Sequence, residues 1–201
     1  MSETNLAKRI AKLMPIASKD ETRFHLNGVH LRASKDVNKI YLEVTDGHKA
    51  VKETVLHEEM YNILTQYKDG IIIHSDQLIS LRQIAKDKRV LSINLAKVLG
   101  RDCLVFGTRP VEFTTDFKYP NMDSLLPQIK GDELVIGFNA GYMLQIAQVS
   151  DSRTPIVKLL LKVKRDADGN IEGIDSVAPI NVQVSGDLQD SIKAVCMPCR
   201  V

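Results

Sequence analysis

A chain of 201 residues with 44% apolar side chains has the length and composition for one large or two small globular domains. Its formal net charge of +2 excludes the strong basic excess by which nucleic-acid-binding domains usually declare themselves, so any such role must rest on where the cations lie. Three cysteines, an odd number, argue against a disulfide framework, and the N-terminal MSETNLAKRIAKLMPIAS interrupts its apolar positions too often for a signal peptide or a membrane span. The expected setting is the cytoplasm, with reduced thiols and no membrane partner.

In chain order, the first predicted element is a helix over Asn5–Ser18 with Leu6, Ile10, Leu13 and Met14 on one face. Strands rich in β-branched residues are expected in RFHLNGVHLRAS (Arg23–Ser34) and NKIYLEVTDGHKAVKETVL (Asn38–Leu56). A second pass starts with the strand GIIIH, continues with a helix opened by Ser75 and Asp76 as caps, and returns strands in RVLSINLA, CLVFGTR and VEFTTDF. A third starts with ELVIGF, continues with a helix capped by Asn139, and ends in strands around IVKLLLKVK, GIDSVAPINVQV and IKAVCMPCRV. Such a unit cannot bury its own apolar faces, so copies must pack together. The turns come too closely for parallel crossovers, which predicts an α+β fold of antiparallel sheets with helices gathered on one face.

Three motifs have a chemical look. Cys196-Met-Pro-Cys199 has redox spacing, but no helix follows to stabilise a thiolate, and Cys103 and the histidines His25, His30, His48, His57 and His74 offer no second close pair of zinc ligands. Alternation in IKAVCMPCRV suits a final strand with proline near its end. Asp46 and His48 in TDGHKA would share a face on a strand, yet no serine or cysteine stands out as their nucleophile, and Asp46-Gly47 is a strong turn signal. RDADGN reads as a hairpin tip in which Asp168-Gly169 supplies positive φ angles. It lacks the later glutamate of a calcium loop. No metal, cofactor or enzymatic activity is expected.

RFHLNGV (Arg23–Val29), EVTDGHKA (Glu43–Ala50), YPNMDSLLP (Tyr119–Pro127), IGFNAGYML (Ile136–Leu144) and VCMPCRV (Val195–Val201) resemble, in order, motifs of the bacterial sliding clamp, the β subunit of DNA polymerase III. The resemblance implies the sliding-clamp fold, repeated β-α-β-β-β units with sheets outside and helices on one face. It divides the chain into a complete clamp-like domain over 1–126, like the family's middle domain, and a half domain over 127–201, like the second half of its last. The strand that should precede the first helix is expected to be short or absent.

By the same resemblance, a groove for a short hydrophobic peptide of polymerase, loader and repair partners would be walled by Leu26, Thr45, Gly47, His48, Lys49, Ala50, Pro120 and Leu125. Asn139, Tyr142, Met197, Pro198 and Cys199 would complete it. Lys49 stands where the family prefers arginine, Ala50 where it has a larger aliphatic residue and Cys199 where it has methionine. Lys8, Arg9, Lys12, Arg82, Lys86, Lys88 and Arg89 would face double-stranded DNA without sequence preference, whereas the third helix carries no basic residue. Three units per chain imply a homo-oligomer, most simply a dimer or a ring built from dimers. The alternatives are a clamp-derived adaptor or competitor that does not encircle DNA and, from a different class, a thiol oxidoreductase.

Overall fold

A computed structural model describes residues 5–87, 92–125, 139–148, 156–175, 178–185 and 192–196. The chain divides into two compact units, Met1–Pro127 and Gln128–Val201.

The first unit opens with α1 (Leu6–Leu13), capped by the Asn5 side chain, which accepts from the Lys8 N–H at 3.0 Å. Leu6, Ala7, Ile10 and Leu13 form its buried stripe. The helix is shorter than the expected Asn5–Ser18. Pro15 has no N–H for the Ala11 carbonyl, and the chain tightens into a 3₁₀ turn over Met14–Ile16. The segment RFHL is not strand either. Asp20 accepts from the Thr22 N–H at 2.9 Å and its hydroxyl at 2.6 Å, starting a 3₁₀ segment over Glu21–Leu26.

Four strands follow, β1 (Gly28–Ala33), β2 (Lys39–Thr45), β3 (Ala50–Leu56) and β4 (Ile71–His74), in an antiparallel sheet of order β3-β2-β1-β4. Between β3 and β4 runs a helix the sequence reading did not contain, α2 (Glu58–Leu64), whose His57 cap accepts from the Met60 N–H at 3.3 Å and whose Met60, Ile63 and Leu64 are buried. Beyond β4, a 3₁₀ turn over Ser75–Gln77 leads into α3 (Leu78–Ala85), then β5 (Ile93–Val98), β6 (Arg101–Phe106) and β7 (Arg109–Glu112) in a second antiparallel sheet, and last the short α4 (Met122–Leu125). Ser75 and Asp76 do not cap α3. Gln77 holds the cap position without a side-chain bond to the helix, and the Ser75 hydroxyl bonds the Asn27 side chain instead.

The β4 strand belongs to the first sheet, and Ile72 exchanges backbone bonds of 2.8 and 2.9 Å with Thr114 beyond β7, so successive passes of the chain interlock. Helices and both sheets close on one core that includes Ile10, Leu31, Leu42, Met60, Leu81 and Leu104. α1 and α3 pack against each other. The turn into β4 depends on Gly70, which has φ +78°; a Cβ there would lie 2.4 Å from the Leu31 carbonyl oxygen and 2.5 Å from His30 Nε2. Gly70→Ala is therefore expected to cost at least about 1–2 kcal/mol from the left-handed backbone alone, read as a lower midpoint in urea unfolding.

In the second unit, Asn139 caps α5 (Ala140–Ala147) by accepting from the Gly141 N–H at 2.8 Å, as the sequence predicts. β8 (Ile156–Leu160), β11 (Ile180–Ser185) and β12 (Ile192–Cys196) form an antiparallel sheet of order β12-β11-β8, and β9 (Val163–Arg165) pairs with β10 (Ile171–Ile174). Ile180 and Val182 are buried against Met143, Ile146, Val157 and Leu159. The β9–β10 tip has one left-handed residue, Gly169, and Asp168 is not left-handed as expected. The Asp166 carboxylate accepts there from the N–H groups of Asp168 and Asn170, at 3.0 and 2.8 Å, and so makes the turn itself. The chain end is strand through Cys196, with residues 197–201 outside the described residues. Among the described residues, no helix is long and apolar enough to cross a membrane.

Candidate functional site

TDGHKA is the turn between β2 and β3. Asp46 accepts from the backbone N–H groups of His48 and Lys49, both at 2.9 Å, while Thr45 Oγ1 donates to the Lys49 carbonyl at 2.8 Å and accepts from Gly47 N–H at 3.1 Å. The Lys49 ammonium and these N–H groups hold the Asp46 carboxyl far below the usual carboxylate range. A carboxylate spent in this way is no general base, and the catalytic look of Asp46 and His48 dissolves into turn geometry. Gly47, His48 and Lys49 are exposed, and beside them opens a cleft of about 500 Å³ lined by residues that include Pro15, Lys19, Arg23, His48 and Lys49.

The segment Tyr119–Leu125 is fastened to this turn. Tyr119 is buried, its hydroxyl oxygen accepts the Thr45 N–H at 3.0 Å, and its ring stacks on His30 with centroids 4.6 Å apart. Leu26, Ile72, Tyr119 and Met122 make a small apolar cluster on which Ala50 packs. Asp123 on α4 bonds Arg32 of β1 at 2.8 Å and Lys52 of β3, which fixes the connector to two strands. Leu125 is left 54% exposed next in sequence to these anchors.

Beneath lies a polar row across the sheet, since Glu43 on β2 is the register partner of His30 on β1 and of Lys52 on β3. Glu43 is 1% exposed and bonds His30 Nδ1 at 2.9 Å, Arg32 Nε at 3.1 Å and Arg32 Nη2 at 2.8 Å. Burial alone would favour the protonated acid, but the bonds from His30 and Arg32 outweigh it and hold the carboxyl below its ordinary value.

The structure thus brings together Leu26, Thr45, Ala50 and the Tyr119–Met122 segment within the first unit. Asn139 and Tyr142 lie on the second, where Asn139 is spent as a cap and Tyr142 is 57% exposed. Met197, Pro198 and Cys199 lie outside the described residues, as do Lys88 and Arg89. The remaining cations sit on the adjacent helices: Lys8, Arg9 and Lys12 on α1, Arg82 on α3 and Lys86 at its C-cap, all exposed. Arg9 is already engaged, with Nη1 2.6 Å from Glu53 Oε1. Among the described residues, no three His, Cys, Asp or Glu side chains gather to hold a metal ion.

No protein-family model matches the chain. It is 27% identical over 172 residues to the beta sliding clamp of Rickettsia bellii, which covers 80% of this chain and 42% of the relative. The C. crescentus beta sliding clamp superimposes on 96% of the chain with a TM-score of 0.71 at 16% identity. This is a sliding-clamp fold, and the chain is a relative of the bacterial β sliding clamps. The Bacillus subtilis DNA polymerase sliding clamp agrees, with a TM-score of 0.66 and 17% identity over 96% of the chain. The chain spans 48% and 47% of those two structures, less than half of each clamp.

In this clamp relative, the sequence reading missed the groups that hold the candidate surface in shape: His30, Arg32, Glu43, Lys52, Tyr119 and Asp123. Only Tyr119 had a signal, as a large aromatic beside Pro120. The charged groups carried no local signal, since Arg32, Glu43 and Lys52 sit on three different strands and Asp123 on α4.

Proposed function

We propose that the chain acts as a sliding-clamp-like processivity factor, binding duplex DNA non-specifically and tethering a DNA polymerase and clamp loader through a short hydrophobic peptide. Such a protein performs no chemistry. Tethering converts repeated rebinding of the polymerase into an intramolecular event. The observation that carries the reading is the fastening of the Thr45–Ala50 turn to the Tyr119–Leu125 connector, which makes a rigid wall from two segments that resemble clamp peptide-groove motifs.

On this reading Ala50, Pro120 and Leu125 supply apolar surface, Leu26 and Thr45, both buried, back it from behind, and Gly47, His48 and Lys49 offer polar groups that set the register of an extended peptide. Asn139, Tyr142, Met197, Pro198 and Cys199 are assigned to the same groove by resemblance alone. The cations of α1 and α3 supply the weak, salt-sensitive contacts that let a clamp slide. Among the described residues the outer edge of β8 has no strand beside it, and pairing with a second copy there is one way a homo-oligomer could form.

A second reading, an adaptor or competitor that keeps the peptide groove without encircling DNA, is favoured by α5, whose sequence AGYMLQIA offers DNA no cation. Retention on nicked circular plasmid separates the two. An encircling ring should co-elute with the circle and be lost after linearisation. An adaptor should bind peptide yet show no difference between circular and linear DNA.

A further inference from the structure

His30 is 4% exposed, and both of its ring nitrogens face acceptors: Nδ1 lies 2.9 Å from Glu43 Oε2 and Nε2 lies 2.7 Å from the Asp69 carbonyl oxygen. A carbonyl only accepts, so Nε2 must carry a proton. A carboxylate only accepts, so either Nδ1 carries a second proton or Glu43 is itself protonated. The Arg32 fork on both Glu43 oxygens, with Lys52 Nζ 3.9 Å from Oε1, decides for the carboxylate. The ring is then a buried imidazolium.

One face of that cation lies against Tyr119, with centroids 4.6 Å apart and planes 13° from parallel, an arrangement in which the phenol ring stabilises positive charge. Tyr119 in turn accepts the Thr45 N–H. The charged groups around the ring are therefore Glu43 from β2, Arg32 from β1 and Lys52 from β3, with Asp123 of α4 behind Arg32 and Lys52.

We propose that His30, as a doubly protonated imidazolium, is the positioning residue of this surface: it seats Tyr119 and so sets the connector carrying Pro120 and Leu125 against the Thr45–Ala50 turn. The role in binding rests on the reading of these two segments as groove walls. The seating of Tyr119 does not.

The test uses the full chain, labelled with ¹⁵N-histidine, and a fluorescein-labelled pentapeptide of leucine, phenylalanine and glutamine. At neutral pH both ring nitrogens of His30 should show protonated ¹⁵N shifts. A neutral tautomer overturns the proposal. His30→Asn, which can donate to only one of the two acceptors, should shift the Tyr119 and Thr45 signals and weaken the peptide about tenfold. Because that variant removes a buried group and could fail to fold, Tyr119→Phe serves beside it: peptide binding should weaken while the His30 ring stays doubly protonated. A protonated ring with no peptide binding by the native chain would overturn the groove reading and leave the seating of Tyr119 standing. A folded His30→Asn that leaves the Tyr119 signals and the peptide affinity unchanged overturns the positioning role.

Discussion

Glu43→Ala is expected to destabilise the first unit by about 3–5 kcal/mol, the usual cost of removing one partner from a buried ionic network. The loss arises less from missing attraction than from what remains. Glu43 is 1% exposed, and its removal strands the buried His30 and the inner face of Arg32 without a counter-charge. Urea unfolding monitored by circular dichroism should show a large drop in midpoint with little change in slope. Glu43→Gln should cost less, because the amide keeps the volume and one acceptor. Replacing His30, Arg32 and Glu43 together by apolar residues of similar size should recover much of the loss. If Glu43→Ala were as stable as the native chain, the network would carry neither stability nor the seating of Tyr119.

The pH dependence has a definite sign. The Glu43 carboxyl is held below its ordinary value of 4.5, so the unfolded chain binds the proton more readily. The stabilisation is fully present above pH 4.5 and is lost as pH falls from there through the depressed folded value. Asp123 is lowered too, first by its bond from Lys52 and further by Arg32, and adds in the same direction, weakened by its exposure. Acid titration should therefore keep the native chain above Glu43→Gln by a constant margin at pH above 4.5 and close that gap as pH falls from there through the folded value, the native curve falling more steeply.

The strands were legible because they are rich in β-branched residues with apolar side chains at every second place, as at Ile40, Leu42 and Val44, which are fully buried, although burial itself runs on through Glu43 and Thr45. The same criterion misread Phe24 and Leu26 as strand, because a side-chain cap at Asp20 acts on backbone hydrogen bonds and leaves hydrophobic spacing unchanged. α2 escaped notice for a related reason. It is short, and its cap is His57, outside the usual set of serine, threonine, aspartate and asparagine. TDGHKA was legible as a turn because Asp46-Gly47 is a local signal, and local signals survive in sequence. The polar network is the opposite case: Arg32 meets Asp123 across 91 positions and Lys52 meets it across 71, so no window of sequence contains the pair. Cations show the same limit, since Lys8, Arg9 and Lys12 look alike in sequence and only the fold places Glu53 against Arg9.

That last distinction gives the second large effect. If α1 and α3 face DNA, Lys8, Lys12, Arg82 and Lys86 each release a phosphate counterion on binding, and replacing all four with alanine should flatten the slope of log affinity against log salt by about 3–4. Over a fourfold rise in salt, the native chain should lose about 100-fold more affinity than the variant. All four side chains are exposed, so the fold should be intact and the change should lie in binding. Arg9→Ala should move the slope less than Lys12→Ala, because Arg9 must first leave Glu53 to reach a phosphate. Fluorescence anisotropy with a labelled duplex across a salt series measures both. A slope unchanged in the fourfold variant would take DNA away from these helices and leave the peptide-binding adaptor, whose surface lies on the Thr45–Ala50 turn and the connector, as the reading that the fold supports.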